Sequence, residues 1–142
     1  MILLDTNVVS ELMRQDPDRR VVAWLDAQTA ETLYLSAVSL AELLLGIAIL
    51  PEGRSKRELE AAVVGPARAM FGPRVLPFDA EAATVFAAVV SRARRAGYVI
   101  GVADGQIAAT AVAHGLIVAT RDTAPFEAAG LRVINPWGER GD

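Results

Sequence analysis

Residues 1–12 read MILLDTNVVSEL, and this stretch decides the fold. The apolar run at 2–4 predicts a short buried strand, because a continuous apolar run that ends at polar residues is typical of a strand covered on both faces. The run stops at Asp5, which Thr6 and Asn7 follow at once. Such a cluster can begin a helix. It also places a carboxylate at the end of a strand, where α/β proteins bind their ligands.

The composition predicts one domain spanning residues 1–142 and a cytoplasmic protein. The chain has no cysteine, which excludes disulfides and thiolate metal sites. No basic segment precedes the first apolar run, so a signal peptide is not expected. No apolar stretch approaches the roughly 20 residues that span a bilayer, so we expect no membrane association.

Charge and hydropathy constrain the partners. The 14 basic and 17 acidic residues give a net charge of −3, which argues against a module that holds nucleic acid by phosphate neutralisation alone. The chain is 53% hydrophobic, with a mean hydropathy of +0.34. This surplus predicts apolar surface that a partner covers, and the alternative is an alanine-rich core.

Apolar segments with strand character alternate with helical ones along the whole chain. Further strands are predicted at 33–36, 74–78, 116–120 and 131–135. Helices are predicted at 7–14, 19–28, 39–50, 54–70, 80–95 and 103–115, the fourth of them interrupted at Gly65-Pro66. This alternation predicts an α/β fold with a central, mostly parallel β-sheet flanked by helices, since parallel neighbours need crossover connections. The pattern does not reveal the strand order.

Four acidic residues stand at the ends of predicted elements, on the edge where strands end and helices begin. They are Asp5, Glu42, Asp104 and Asp122. In a parallel sheet this edge is shared, so four acids from across the sequence are expected to converge. Each also has a structural alternative as a turn or cap residue. The strongest is that of Glu42, since Ser39-x-x-Glu42 has the spacing of a capping box.

Converged carboxylates repel one another, and a divalent cation relieves that repulsion. A set of oxygen ligands suits Mg²⁺ or Mn²⁺. The hydroxyls of Thr6 and Thr120 and the amide of Asn7 lie beside the acids in sequence and are expected to orient them. Such a site supports metal-assisted hydrolysis of a phosphodiester, so the four acids are the predicted catalytic and metal-binding residues.

Other catalytic chemistries have little support. The lone histidine, His114, falls at a predicted helix end, where a solvated or hydrogen-bonded role is expected. No Ser-His-Asp or Cys-His arrangement is indicated, and no glycine-rich phosphate loop of known spacing is present.

The motifs together resemble the PIN-domain ribonucleases, and more narrowly the FitB-like branch of the VapC toxins. The resemblance rests on DTN at 5–7, SLAELLLG at 39–46, ADGQIAATA at 103–111, and VATRDTAPFE at 118–127 ahead of INPW at 134–137. It covers the chain from about Ile2 to Trp137. It implies a Mg²⁺- or Mn²⁺-dependent endoribonuclease, the toxin of a toxin–antitoxin pair, which a VapB-like antitoxin neutralises. The acidic quartet of the family then corresponds to Asp5, Glu42, Asp104 and Asp122, with Asp122 the least certain ligand, and Thr120 matches its hydroxyl position.

Three alternatives remain beside this interpretation. In the first, the protein acts mainly as an antitoxin-dependent, DNA-bound autoregulatory module, and its nuclease activity is secondary. A DNA-directed nuclease of the same fold has the same acids. A phospho-accepting receiver domain also gathers acids at strand ends, but it needs a lysine there, and the single lysine, Lys56, lies in a polar helix start.

The resemblance also implies partners. Members of the family commonly form homodimers, which agrees with the apolar surplus. The helices at 7–14, 19–28 and 39–50 are rich in apolar residues and predict a groove for an amphipathic antitoxin segment, for which the predicted contacts are Val8, Leu12, Trp24, Leu44 and Ile47. RNA is the predicted substrate. Several arginines, Arg14 and Arg121 among them, are candidates for backbone contacts, although a solvated face is the expected role of most.

Overall fold

The computed structural model describes residues 1–138. Its five strands are β1 (Ile2–Leu4), β2 (Leu33–Ser36), β3 (Val75–Leu76), β4 (Ile117–Ala119) and β5 (Val133–Ile134). Its seven α-helices are α1 (Thr6–Leu12), α2 (Arg19–Asp26), α3 (Ala37–Ala48), α4 (Arg54–Phe71), α5 (Ala80–Arg95), α6 (Val102–Ala113) and α7 (Thr123–Ala128). Two short 3-10 turns, Ala30–Thr32 and Gly72–Arg74, precede β2 and β3.

All strand pairs are parallel, in the order β3-β2-β1-β4-β5. The predicted α/β fold with a parallel sheet flanked by helices is therefore confirmed. From β1 the chain adds β2 and β3 on one side, and it then crosses over to add β4 and β5 on the other. The reversal makes the carboxyl ends of β1 and β4 a topological switch point, which is where open parallel sheets bind ligands.

Alternation of side chains across β1 divides the core into two layers. Leu3 points to a cluster that includes Val118, Ile107 and Phe126, on the side of α5, α6 and α7. Its neighbours Ile2 and Leu4 point to the opposite cluster, which receives residues from α1, α2 and α4. Both faces of β1 are buried, which explains why its residues form a continuous apolar run.

Helix α4 corrects one prediction. It runs without a break through Pro66, whereas an interruption was expected there. The proline removes one backbone donor, but Gly65 and Pro66 are exposed, and Val63 and Phe71 are buried on either side of them. Burial on either side of the proline holds the helix together, and the carbonyl that loses its donor belongs to the exposed Ala62.

Three smaller differences concern two short strands and one helix. The predicted strands at 74–78 and 131–135 are each reduced to two paired residues, and α7 was not predicted.

Within residues 1–138, none of the helices combines the length and the apolar character that a bilayer span requires.

Candidate active site

An acidic cavity of about 500 Å³ opens at the switch point. It is lined by Asp5, Thr6, Asn7, Ser10, Glu11, Arg14, Glu42, Asp104, Arg121 and Trp137. Three of the four predicted acids therefore line one cavity. The fourth, Asp122, is not among the lining residues, but its charge raises the pKa of Asp104, which places it nearby.

Asp5 is the buried carboxylate of the site, with 4% of its surface exposed. It directly follows β1 and caps α1, since its Oδ1 accepts a 2.8 Å hydrogen bond from the backbone N–H of Thr6. Burial is the main cause that raises the pKa of Asp5 to about 6, and the charges of Asp104 and Glu42 add to it. The hydrogen bond from the Thr120 hydroxyl opposes this rise.

Asp104 lies in the first turn of α6, but Gly101 and not Asp104 is the N-cap. Its carboxylate is half-buried, and burial raises its pKa, with further increases from the charges of Glu42 and Asp122. The capping alternative is thus wrong for Asp104. It is also unsupported for Asp122, which stands at the N-cap of α7 but accepts no capping hydrogen bond through its side chain.

Glu42 does not form the capping box that its spacing suggested. The N-cap of α3 is Ser36, whose hydroxyl accepts from the backbone N–H of Val38, so Ser39 lies inside the helix and Glu42 beyond its first turn. The Thr6 hydroxyl lies 2.7 Å from Oε1 of Glu42 and 2.9 Å from Oγ of Ser39. A hydroxyl has one proton, so Thr6 donates to the carboxylate and accepts from Ser39.

The Thr120 hydroxyl joins the acids on the other side of the cavity. It donates to Oδ2 of Asp5 at 2.8 Å and accepts from the backbone N–H of Asp122 at 3.1 Å. The side-chain amide of Asn7 donates to the same hydroxyl at 3.3 Å. The three polar residues predicted beside the acids, Thr6, Asn7 and Thr120, therefore all contact site groups. Within residues 1–138, the donors to Asp5 and Glu42 are the hydroxyls of Thr6 and Thr120 and the backbone N–H of Thr6.

Several residues of the site were not predicted from the sequence. Ser10 and Glu11 lie near the C-terminal end of α1, and their place on a predicted helix was the only available signal. Arg14 follows that helix and was predicted only as a candidate for backbone contacts. Ser39 was noticed as a cap and not as a site residue. Trp137 was noticed as part of a motif only, and its buried ring lies 5.2 Å from the guanidinium carbon of Arg121.

Two other sets of predicted residues lie elsewhere. His114 is the C-cap of α6 and does not line the cavity. The five residues predicted for an antitoxin groove do not form one surface. Val8 is fully buried in the core, and Trp24 packs against that core. Leu44 and Ile47 line a recess against α4, and Leu12 lines a separate apolar groove.

The donor set fits a hard divalent cation. The lining acids and their neighbours offer oxygen ligands. Burial is the main cause of the raised pKa of Asp5, and a cation would offset the charges of Asp104 and Glu42 that add to it. No three acidic or histidine side chains among residues 1–138 are arranged to hold a metal ion by themselves. Mg²⁺ tolerates this, because it commonly binds through one or two carboxylates and keeps several waters.

Comparison with known proteins agrees with this geometry. "VapC ribonuclease Y4jK" of Sinorhizobium fredii is 56% identical, over 96% of this chain and 98% of that protein. "Toxin FitB" of Neisseria gonorrhoeae is 50% identical, over 96% and 99%. The crystal structure of FitAcB from Neisseria gonorrhoeae matches with a TM-score of 0.92 and 50% identity, and covers 96% of this chain and 99% of that one. The family model of the PIN domain matches residues 2–131. The resemblance seen in the sequence is confirmed, and the chain belongs to the PIN domain family.

Proposed function

We propose that this protein is the toxin of a toxin–antitoxin pair, a metal-dependent endoribonuclease that hydrolyses RNA phosphodiester bonds. The observation that carries the proposal is the cavity that holds Asp5, Glu42 and Asp104 at the switch point of the sheet. Relatives named as a VapC ribonuclease and as a toxin support it, because they are at least 50% identical over nearly the whole chain. An RNA substrate also implies a cytoplasmic location.

Asp5, Glu42 and Asp104 would hold Mg²⁺ or Mn²⁺, with Asp122 close enough to contribute. When bound, the cation supplies Lewis-acid stabilisation of charge on the phosphate and lowers the pKa of water. The chain's own contribution is orientation. Thr120 fixes Oδ2 of Asp5, and Thr6 fixes Oε1 of Glu42, so two carboxylates from different elements face one cavity in defined directions.

The test is cleavage of RNA by the purified chain, freed of any partner. We expect cleavage with Mg²⁺ or Mn²⁺, its loss in EDTA, and its return when excess cation is added. Asp104→Asn, prepared identically, is the control for contaminating nucleases and should be inactive. Cleavage that continues undiminished in EDTA would exclude the metal mechanism. A parallel assay on single-stranded DNA distinguishes the ribonuclease from a DNA-directed nuclease of the same fold.

An antitoxin is the proposed partner. The structure of FitAB bound to the IR36 DNA fragment matches with a TM-score of 0.94 and 48% identity, over 99% of this chain and 98% of that one. Since this chain is acidic overall, we propose that it meets DNA only through the antitoxin. An autoregulatory role of that complex is compatible with the ribonuclease activity of the free toxin.

The apolar groove beside α1 is where we place the antitoxin. It has a volume of about 360 Å³ and is lined by Leu4, Val9, Leu12, Met13, Leu25, Leu59, Ala62, Val63, Pro66, Ala67, Met70 and Phe71. Its walls are α1, α2 and α4, so α4 takes the place that the sequence analysis assigned to α3. An amphipathic helix fits such a groove, and an arginine of the same segment would pair with the carboxylates of the neighbouring cavity. Hydrogen exchange on the free and bound protein should show protection at α1, α2 and α4, and protection confined to α5 and α7 would exclude this placement.

Apolar surface also remains exposed away from that groove. It includes Leu45, Ile49, Val99 and Val102, which are between 61% and 88% exposed. We propose that a homodimer covers part of this surface, and the oligomeric state in solution tests it.

A further inference from the structure

The acidic cavity extends beyond the acids themselves. Asn7, Ser10, Glu11 and Arg14 line it from one face of α1 and its C-terminal end. The seven residue steps from Asn7 to Arg14 span roughly 10 Å at a rise of 1.5 Å per residue. The backbone of a stacked nucleic acid strand advances about 3.4 Å per nucleotide, so a track of this length covers roughly three nucleotides. The cavity is therefore long enough for more than the phosphate at which hydrolysis occurs.

Two cationic side chains line this track, Arg14 and Arg121. Arg14 lies two residues beyond the end of α1, and its Nη1 is 3.3 Å from Oε2 of Glu11. Glu11 is buried, while the Arg14 side chain is 68% exposed. One guanidinium nitrogen of Arg14 thus contacts a buried carboxylate. The guanidinium keeps further donors for a ligand, because an arginine has five N–H groups.

Arg121 follows β4 and is held in a different way. Its guanidinium carbon lies 5.2 Å from the centre of the Trp137 ring, and that ring is only 5% exposed. Arg121 is itself exposed, and its charge also contributes to lowering the pKa of Asp18. The aromatic face limits where the guanidinium lies without using its N–H donors, which remain free for an anion.

An acidic protein that binds a polyanion needs local positive charge along the strand. The net charge of −3 and the acids of the cavity oppose the approach of RNA, and cationic side chains in the cavity would offset that repulsion locally. A metal ion would act at the scissile phosphate only. Neighbouring phosphates would remain unpaired unless the arginines of the cavity meet them.

We propose that Arg14 and Arg121 bind RNA phosphates that flank the scissile one, with Glu11 and Trp137 as the residues that position them. The inference rests on the proposed ribonuclease function. It makes the two arginines determinants of RNA affinity and not of the chemical step, and it makes their contribution independent of RNA sequence.

The test is the salt dependence of binding to a short single-stranded RNA, measured by fluorescence anisotropy with Mg²⁺ in the inactive Asp104→Asn background. Loss of one phosphate contact lowers the slope of log Kd against log salt by about 0.7 for a single strand. We expect that reduction for Arg14→Gln and for Arg121→Gln, with affinity weakened on the order of tenfold at low salt. Arg132→Gln is the matched control. It also removes an exposed arginine, but Arg132 directly precedes β5, at the opposite edge of the sheet.

Two further variants separate charge from position. Arg121→Lys keeps the charge, so the slope should recover while affinity stays below that of the parent protein. Trp137→Leu keeps Arg121 but removes the ring that holds it. In the otherwise wild-type enzyme it should raise KM with kcat unchanged, provided that thermal unfolding shows it folded.

The outcomes distinguish this inference from the proposed function. If the wild-type chain cleaves no RNA, the proposed function fails. If it cleaves RNA but Arg14→Gln and Arg121→Gln keep the slope and KM of Arg132→Gln, the inference is overturned and the function stands. A fall in kcat with an unchanged slope would also overturn it, because the arginines would then act on the reaction itself.

Discussion

The hydroxyl of Thr120 donates a 2.8 Å hydrogen bond to Oδ2 of Asp5, although 115 residues separate the two. Thr120 follows β4 and Asp5 follows β1, and these strands are neighbours in the sheet. Both side chains are buried. The bond therefore ties the two halves of the parallel sheet together at the point where the acids meet.

Replacing this hydroxyl should change both the stability of the protein and the titration of the site. In Thr120→Val, Asp5 loses the hydrogen bond that lowers its pKa, so that pKa should rise above its present value of about 6. The backbone N–H of Asp122 and the amide of Asn7 also lose an acceptor. We expect a loss of about 1–3 kcal/mol in the free energy of unfolding and a shift of the acidic limb of the activity profile to higher pH. Thr120→Ser keeps the hydroxyl and should change the pH profile little, so an equal shift in both variants would contradict this role.

The raised pKa of Asp5 makes stability depend on pH in a defined direction. Its folded pKa is about 6 and its ordinary value is 3.8, so between these values the folded state holds the proton more tightly than the unfolded state. The protonated form thus favours folding. That stabilisation is present at low pH and is lost as pH rises through 6, at roughly 1.4 kcal/mol per pKa unit, or about 3 kcal/mol in total.

Asp5→Asn does not titrate and isolates this effect. The difference in free energy of unfolding between Asp5→Asn and the wild type should move in favour of the variant from about pH 4 to about pH 6.5. It should then level off. Denaturant unfolding in EDTA at several pH values measures it, and the change with pH matters more than its absolute value, because asparagine also alters the bond to Thr120. Two curves that stay parallel would show that Asp5 titrates normally.

Most of the fold was predictable because it depends on local pattern. Continuous apolar runs marked β1 and β2, and the predicted helix at 80–95 agrees with α5, which Asp79 caps by accepting from the backbone N–H of Ala82. The strand order was not predictable, since hydrophobic pattern does not say which strands pair. Pro66 was misread because burial of Val63 and Phe71 on either side of it outweighs a local helix-breaking preference.

The site was likewise predictable only in part. The meeting of Asp5, Glu42 and Asp104 followed from their positions at element ends in a parallel sheet. The partners of these acids did not. Ser39 was assigned to a capping box that Ser36 makes unnecessary, and the contact of Arg121 with Trp137 depends on how the segment after β5 packs. Such contacts are tertiary and leave no periodic signal.

Glu42→Gln now tests catalysis without the complication of a helix cap. Glutamine keeps a side-chain oxygen that accepts from Thr6, so the free energy of unfolding should stay within about 0.5 kcal/mol of the wild type. It is a poorer ligand for a hard cation, so cleavage should fall by roughly 100-fold or more. Stabilisation by Mg²⁺, read as the rise in Tm on titration, should weaken too. Glu60→Gln, an exposed change on α4, is the control, and equal loss in both variants would point to overall charge instead of ligation.

Gly105 tests whether close packing of α6 against α5 positions Asp104. A Cβ built at Gly105 would lie 2.8 Å from Cε2 of Phe86 and 2.9 Å from Cγ2 of Val90, so in Gly105→Ala these side chains or the helices that carry them must shift. Overpacking of this kind costs about 1–3 kcal/mol. Because Asp104 is the adjacent residue, we expect cleavage to fall more than the loss of folded protein explains, measured at a temperature where the variant is still folded.

The matched control is Gly46→Ala, in the interior of α3. A Cβ there meets nothing within 4 Å, and the residue is exposed. Alanine should therefore stabilise the protein by about 0.5–1 kcal/mol through the lower entropy of its unfolded chain. Thermal unfolding and cleavage rates of the two variants, compared side by side, separate close packing from the general effect of removing a glycine. If Gly105→Ala gains stability as Gly46→Ala does, the α5–α6 contact has room to spare. The position of Asp104 would then be set by the backbone of α6 alone.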